Sequence, residues 1–542
     1  MDPAEKFYEQ AMLSLQQPML EAAARGDSEV QRFYSGSTVL VTGGTGYLGK
    51  ILIEKLIRSS KIHKIYILLR PKKGENVSER LKVLLKDAVF DQLRKKQPDF
   101  GQCITPVAGD IVEEQLGLNN RDFSTMIQKV DIIFHLAATT KFNEFLRTAT
   151  LINVRGTREV LEMAKHCKRL KSFIYVSTAF CHATRSRIDS EILEQFYKSP
   201  ISPEVLIRIV ESMDDERLID ITEKLIDDWP NTYTFTKAVA EELVRTSAED
   251  LPICIVRPPI VIGAHSEPSP GWIDKSCIYG PVGIVLEIML GASHVILVAP
   301  VTVNIAPADF VTNALIVSAL ETKINYDNGD KDIKIYTLCS QDLFKPAQAN
   351  KLLRSESGKV LQTPKCIWYS CAYEVSNKHI FWLLTWLLHY IPAYIVDAVY
   401  FLLGLKRPTG IPSFVKLYKK IYNSSLILSY FSLNEWRWRD DNTVEMFRKM
   451  SATDKALFNF DLRSLNITNL TFISTLGVRK HIIKDGLKNT ATGVRKQFWF
   501  KIASFIILPI YSYLIICIIL WVYKITFLFF LYTYEVIIGK VY

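Results

Sequence analysis

Val39-Leu40-Val41-Thr42-Gly43-Gly44-Thr45-Gly46-Tyr47-Leu48-Gly49-Lys50 is the stretch whose reading decides the fold. Apolar β-formers run into a turn with glycines at spacing three and three, and a helical apolar pattern (Ile51, Leu52, Leu56, Ile57) follows at once. A strand that turns sharply, approaches a pyrophosphate and packs a helix against itself needs residues without a Cβ at those points. The helix N-terminus then offers free N–H groups and the positive end of its dipole to the phosphates. Gly43, Gly46 and Gly49 fit those three tasks. The strand before and the helix after supply the context that a bare glycine pattern lacks. The stretch predicts a dinucleotide site using Thr42, Gly43, Gly44, Thr45, Gly46, Tyr47, Leu48 and Gly49. A glycine-rich turn with nothing bound is the alternative.

Lys64 to Leu69 reads as a buried parallel strand ending in Arg70-Pro71-Lys72-Lys73. In a dinucleotide fold this strand end meets the adenosine ribose, where an acid selects NAD and cations accommodate the 2′-phosphate of NADP. No acid stands there, and Arg70 offers a guanidinium fork, with Lys72 and Lys73 as helpers, so the cofactor predicted is NADPH. A third strand, Ile104 to Ala108, runs into Gly109-Asp110-Ile111. A fourth, Asp131 to Leu136, runs into Ala137-Ala138-Thr139-Thr140. Both ends lie on the carboxyl edge of the sheet, where ligands collect. Asp110 is placed to accept from the adenine amine, with Ile111 beside it. The small residues Ala137, Ala138 and Thr139 let backbone approach the cofactor, and Asn153 lies on the following helix. His135, inside a buried strand, reads as a satisfied core histidine.

The fifth strand, Ser172 to Val176, ends in Ser177-Thr178-Ala179, and much later Tyr233-Thr234-Phe235-Thr236-Lys237 opens a helix. Tyrosine and lysine four apart share a helix face. A phenol of ordinary pKa, about 10, is a poor acid–base group near neutrality. A nearby ammonium lowers that value, so Lys237 is expected to let Tyr233 exchange a proton at working pH. A hydroxyl at the strand end, Thr178 or Ser177, is placed to hydrogen-bond the same substrate oxygen. The strand Ile253 to Val256 delivers Arg257-Pro258-Pro259 near the nicotinamide. Val176, Pro259, Ile260 and Val261 complete the expected cofactor contacts.

These motifs resemble the extended short-chain dehydrogenase/reductases, which implies an α/β fold with a Rossmann-type doubly wound parallel sheet. Along the chain the resemblance narrows to the animal fatty acyl-CoA reductases, insect-like ones in particular. It is carried by Val41 to Gly49, Leu69 to Gly74, Tyr175 to Phe180, Tyr233 to Lys237, Val256 to Gly263 and His389-Tyr390-Ile391-Pro392-Ala393-Tyr394. It covers most of residues 35–480 and implies a mainly helical C-terminal domain. The activity implied is reduction of a fatty acyl-CoA by two NADPH, through an aldehyde, to a primary alcohol. By the family pattern Thr178, Tyr233 and Lys237 form the catalytic set, with Ser177 as fallback. Two rivals keep part of the pattern, a membrane-bound sterol dehydrogenase/isomerase and a non-catalytic NADPH-binding scaffold. Arg70 argues against the NAD preference of the first, and the intact catalytic set against the second.

The resulting organisation is a helical lead-in (1–35), an NADPH-binding catalytic domain (36–350), a C-terminal reductase domain (351–480) and a basic flank with an anchor (481–542). The stretch between Thr178 and Tyr233, roughly fifty residues, exceeds what one crossover needs. It is helical and acidic and reads either as a lid over the substrate channel or as a solvated excursion. Asp309 reads as a structural cap. Ile380 to Leu403 is an apolar region broken by Pro392 and Asp397. It predicts a helical hairpin that docks on a membrane or roofs the acyl chain, or else an ordinary helical core.

Arg479, Lys480, Lys484, Lys488, Arg495, Lys496 and Lys501 precede an uncharged apolar run, Ile502 to Val522, long enough for one span. The positive-inside rule then puts the catalytic domain in the cytosol. Ile525 to Tyr534 allows a re-entrant tail. The C-terminal Gly539 to Tyr542 is not a peroxisomal address, so the endoplasmic reticulum membrane is expected ahead of the peroxisome. Half the residues are hydrophobic (49%) and net charge is +10. No basic run interleaved with aromatics occurs in the α/β part, which excludes nucleic acid and assigns the charge to phosphates and a membrane surface. Nine cysteines without a CxxC pair or His/Cys ligand spacing point to reduced thiols, and no metal is expected. The partners expected are fatty acyl-CoA and membrane lipid; a homodimer is left open.

Overall fold

The computed structural model describes residues 1–71, 76–248, 250–339, 346–405 and 413–538. Seven strands, β1 (Thr38–Thr42), β2 (Lys64–Leu69), β3 (Ile104–Ala108), β4 (Ile132–His135), β5 (Ser172–Val176), β6 (Ile253–Arg257) and β7 (Lys334–Thr337), form one parallel sheet. Their order is β3-β2-β1-β4-β5-β6-β7. The strand order reverses between β1 and β4, whose ends register Thr42 beside His135. That reversal opens the crevice in which open α/β sheets bind ligands. Strands β1, β4, β5 and β6 are buried along their whole length because helices cover both faces. Tyr47–Ser59 and Ala308–Asp327 pack on one face, Gly156–His166 and Thr232–Ser247 on the other. The seventh strand was not legible in the sequence: only four residues long, it gains its place by pairing Lys334 to Thr337 with Cys254 to Arg257.

The C-terminal half is stitched to this core. Short parallel pairs join Val295–Leu297 to Tyr373–Val375 and Glu191–Ile192 to Arg437–Trp438. Lys55, on the helix after the glycine loop, pairs with Glu267 and donates to the Leu457 carbonyl at 2.7 Å, in a buried setting. The lead-in folds as Pro3–Arg25 and Glu29–Tyr34. Its Asp2 caps its own helix (Ala4 N–H, 2.9 Å) and also accepts from the Thr490 N–H at 2.9 Å, at the start of the C-terminal helix.

Several expectations are corrected. The region 380–404 is no hairpin by itself: Lys378–Leu402 runs as one helical stretch, and its antiparallel partner is the separate helix Phe414–Leu433. Pro392 does not break it because the turn before, Trp386–Tyr390, widens to i→i+5 bonding and makes room for the ring. The tail does not re-enter: Thr490–Ile538 is continuous helix. Arg479 is not part of a basic flank. It is fully buried, donates to Asp485 at 2.7 Å and ties down Val360, Thr490 and Lys488. The acidic helices Pro203–Ser212 and Asp215–Ile226 pack into the helical layer of Gly156–His166 rather than standing clear as a lid. Leu206, Ile207, Val210 and Leu218 are buried there. Asp215, Glu211 and Glu204 pair with Arg147, Arg155 and Arg158.

Candidate active site

Gly43 takes φ +74°, and a Cβ there would lie 2.7 Å from the Ala137 nitrogen, so the glycine lets the ends of β1 and β4 touch. A Cβ on Gly49 would lie 2.4 Å from the Gly43 carbonyl oxygen, which is how the helix seats against the turn. Gly46 is the N-cap of Tyr47–Ser59 and brings no side-chain cap, leaving the first turn's N–H groups, from Tyr47, Leu48 and Gly49, without a side-chain acceptor. This cradle, whose shape a Cβ would fill, fits a pyrophosphate. Thr45 is exposed beside it, and Gly44 packs on Ile67 and Ile53. The Tyr47 phenol serves structure: it donates to the Ile262 carbonyl at 2.9 Å and stacks on Trp272.

At the adenosine end Arg70 stands 3.8 Å from Asp110, largely in solvent. Asp110 accepts from the Val112 N–H at 3.3 Å, and Ile111 fills the space over Gly156. Lys73 and its neighbour Lys72 lie outside the described residues. Asn153 clamps the loop after β4, accepting from the Thr139 N–H (2.9 Å) and donating to the Thr139 carbonyl (3.2 Å) and the Thr236 hydroxyl (3.0 Å). Ala137 and Ala138 remain half-buried, with the Ala137 N–H reaching the Thr42 hydroxyl at 3.3 Å. His135 is the core residue expected, its ring nitrogens bonded to Thr42 (2.7 Å) and Thr157 (3.0 Å). Burial holds it down to about 3, so it stays neutral. Pro259 is buried, while Ile260 and Val261 are half-buried in a short strand paired with Ile305–Pro307. Asp309 is the cap expected, accepting from the His265, Ser266 and Glu267 N–H groups at 2.8, 2.7 and 3.1 Å.

Tyr233 and Lys237 sit on the helix Thr232–Ser247, and the Thr178 hydroxyl lies beside the Tyr233 phenol. One expectation fails. Lys237 does not lower the phenol: burial pushes Tyr233 up to about 12, against the opposing Thr178 hydroxyl. The ammonium turns instead to the Val176 carbonyl (2.8 Å) and the Tyr175 hydroxyl (3.4 Å). Burial holds Lys237 down to about 8, against the attraction of Glu241. At neutral pH the site therefore presents a neutral phenol, a proton donor, above a buried cation.

Ser177 is otherwise engaged, donating to Glu241 at 2.5 Å. Glu241 was not singled out in the sequence, although its spacing of four from Lys237 was a usable signal. Its carboxylate also takes Arg257 at 2.9 and 2.6 Å and the Cys181 thiol at 3.1 Å. Burial would raise this carboxyl, but Arg257 and His182 hold it well below the usual range. Cys181, His182 and Glu241 are the ligand-type grouping among the described residues, and the Arg257 cation already neutralises its carboxylate.

Aromatic side chains roof the phenol. Phe142 stacks on Tyr233 at 5.9 Å and meets Phe431 at 5.2 Å; Phe431 and Trp438 both meet Phe180 at 5.1 Å. Phe431 and Trp438 come from the C-terminal half, about two hundred residues distant, and no local pattern announces them.

Two family profiles, both described as male sterility protein, match residues 41–315 and 388–485. A Drosophila melanogaster protein, fatty acyl-CoA reductase wat, is 35% identical over 497 residues, 90% of this chain and 92% of its own. The chain belongs to the fatty acyl-CoA reductase family. Fatty acyl-CoA reductase 1 of Xenopus laevis is 33% identical across 84% of this chain and 86% of that one. This reductase is thus an oxidoreductase whose Rossmann domain takes a nicotinamide cofactor. Among solved structures, the terminal R domain of the myxalamid PKS-NRPS pathway shares its fold. That match has a TM-score of 0.54 and 19% identity, covering 82% of this chain and 91% of that domain. The reductase domain of a Mycobacterium tuberculosis nonribosomal peptide synthetase shares it at TM-score 0.52 and 18% identity, covering 87% and 96%.

Proposed function

We propose that this reductase converts long-chain fatty acyl-CoA to the primary alcohol with NADPH, passing through an aldehyde that stays bound. The observation that carries the reading is the Thr178–Tyr233 hydroxyl pair beneath an apolar aromatic roof. NADPH is favoured over NADH because Arg70, and no acid, follows the end of β2, where the ribose is expected, 3.8 Å from Asp110. Bound in the glycine cradle, the cofactor would supply the hydride. Thr178 and Tyr233 donate hydrogen bonds to the thioester oxygen and stabilise the charge that builds there. The Lys237 ammonium adds to that stabilisation from behind the phenol. Collapse of the tetrahedral adduct expels coenzyme A. With a second NADPH exchanged for the oxidised cofactor, the aldehyde carbon would take the second hydride, and Tyr233 gives its proton to the alcohol oxygen. The Phe142, Phe180 and Phe431 side chains exclude water and supply apolar surface for the chain next to the carbonyl.

The reading includes a membrane. Thr490–Tyr534 is long and apolar enough to cross one, with none of its most apolar stretch buried. Lys484, Lys488, Arg495, Lys496 and Lys501 precede that stretch and favour a cytosolic catalytic domain on the endoplasmic reticulum. The free cysteines of the described residues suit that compartment.

The test uses membranes from cells expressing the chain, given NADPH and acyl-CoAs from medium to very long, with lipid products read by mass. Fatty alcohol formed by the native chain and lost in Tyr233→Phe, with NADPH binding retained, supports the assignment. Free aldehyde as the end product would remove the second reduction. No product from any acyl-CoA would overturn the assignment.

A further inference from the structure

The apolar stretch Lys378–Leu402 contains two groups that resist transfer to lipid, the Pro392 gap and the Asp397 charge, and both are satisfied inside the protein. In the widened turn the Ile391 N–H reaches the Trp386 carbonyl. The next bond of that series would run from residue 392 to the Leu387 carbonyl, and proline has no N–H to give. That carbonyl accepts instead from the Tyr511 hydroxyl of the C-terminal helix, at 2.7 Å. Asp397 caps the returning helix Phe414–Leu433, accepting from the Ser413 hydroxyl (2.6 Å) and the Phe414 and Val415 N–H groups (3.2 and 3.1 Å). His389 accepts from the His294 N–H at 2.9 Å and stacks on Tyr418, so it too turns inward.

A helix facing water has no need of such arrangements, whereas in hydrocarbon an unpaired carbonyl or a bare carboxylate is costly. The outer side is apolar and uncovered: Phe401 is 81% exposed, Leu402 78% and Ile395 55%. Tyr511 lies ten residues beyond Lys501, about 15 Å along the helix axis. The contact therefore falls within the uncharged run of the C-terminal helix and not on its basic flank. Both ends of the pair return to the catalytic body, through Tyr373–Val375 on one side and Arg437–Trp438 on the other. Lys416, Lys419 and Lys420 on the returning helix are exposed, within reach of headgroups.

We propose that Lys378–Leu402 and Phe414–Leu433 form a monotopic hairpin. It sits in the same leaflet as the first part of the C-terminal helix, its outer face covered by phospholipid acyl chains. The proposal rests on the membrane-anchored reading above. It makes the bilayer, not a protein partner, the occupant of this face, and brings the roof over Tyr233 to the lipid through Phe414–Leu433.

The test places an environment-sensitive NBD fluorophore on single accessible cysteines of the full chain, the buried ones being kept, in phosphatidylcholine nanodiscs with and without acyl-chain doxyl lipid. Cys103, Cys167 and Cys371 are replaced by serine in every sample. The native Cys517 reports the anchor; Ile395→Cys and Leu402→Cys, each with Cys517→Ser, report the hairpin; Ile219→Cys on an acidic helix, also with Cys517→Ser, reports water. Quenching at 395 and 402 comparable to that at 517, with 219 unaffected, is the expected result. Quenching at 517 alone overturns the hairpin and leaves the anchor standing. No quenching at any position overturns both.

Discussion

Replacing Glu241 by glutamine tests whether the buried Glu241–Arg257 ion pair, one turn along the same helix, tunes Lys237. The carboxylate takes Arg257 at 2.9 and 2.6 Å and Ser177 at 2.5 Å, all buried. Its loss leaves a buried guanidinium without its counter-charge, at a cost of about 3–5 kcal/mol. Glu241 also stands one helical turn from Lys237, a spacing that puts Cβ atoms about 6 Å apart. Two unit charges at that distance, in an effective dielectric of about 20, interact by roughly 2.8 kcal/mol, or about two pKa units. Arg257 stays charged in both forms, so its own repulsion cancels in the difference. The sign follows from the direction of the pull: burial holds Lys237 at about 8 against Glu241. Without the carboxylate the ammonium is lost at lower pH. The alkaline limb of kcat/KM should move from near pH 8 to about pH 6. The assay is the initial rate of NADPH oxidation over a range of acyl-CoA concentrations from below to above KM, across about pH 5.5 to about pH 9.5. Thermal unfolding confirms that the variant is folded at the assay temperature. A folded Glu241→Gln enzyme with its alkaline limb still near pH 8 would refute the coupling.

Arg70→Ala should raise the KM for NADPH by about 10-fold or more while leaving NADH untouched, since one charge-assisted phosphate contact is lost; equal loss with both cofactors would remove Arg70 from 2′-phosphate recognition. Gly477→Ala would place a Cβ 1.9 Å from the Gly271 carbonyl oxygen. The junction must shift, so the melting temperature should drop by the equivalent of about 1–3 kcal/mol; an unchanged midpoint would mean the crossing is slack. Glu194 accepts from Thr337, Asn442 and Thr443, and burial nonetheless raises it from 4.5 to about 7. The folded state thus holds a proton that the unfolded chain releases. Its stabilising contribution is complete below about pH 4.5 and disappears as pH rises through about 7. The native melting temperature should fall across that window relative to Glu194→Gln, and parallel curves would exclude the linkage.

The fold was legible because its signals are local. A strand, a glycine turn and a helix lie within twelve residues, 39–50, and the next five strands announce themselves as apolar runs, whereas the short seventh does not. The proposed catalytic set of Tyr233, Lys237 and Thr178 was picked out by residue type and spacing, and the His135 and Asp309 readings follow from strand and helix position. What the tertiary structure decided is everything set by packing across distance. Lys237 is adjacent to Tyr233 on one helix face, yet burial, opposed by Thr178 at the phenol and by Glu241 at the ammonium, and not that adjacency, sets the protonation of the pair. Arg479 reads as one cation of a basic run but is fully buried against Asp485. Pro392 and Asp397 read as helix breakers, and each is accommodated by a partner far along the chain, Tyr511 for the orphaned carbonyl and the start of Phe414–Leu433 for the carboxylate. Sequence specifies which groups need partners, because propensity and polarity belong to the residue; only the folded chain specifies which partner each one meets, because desolvation and hydrogen bonding depend on what is brought alongside.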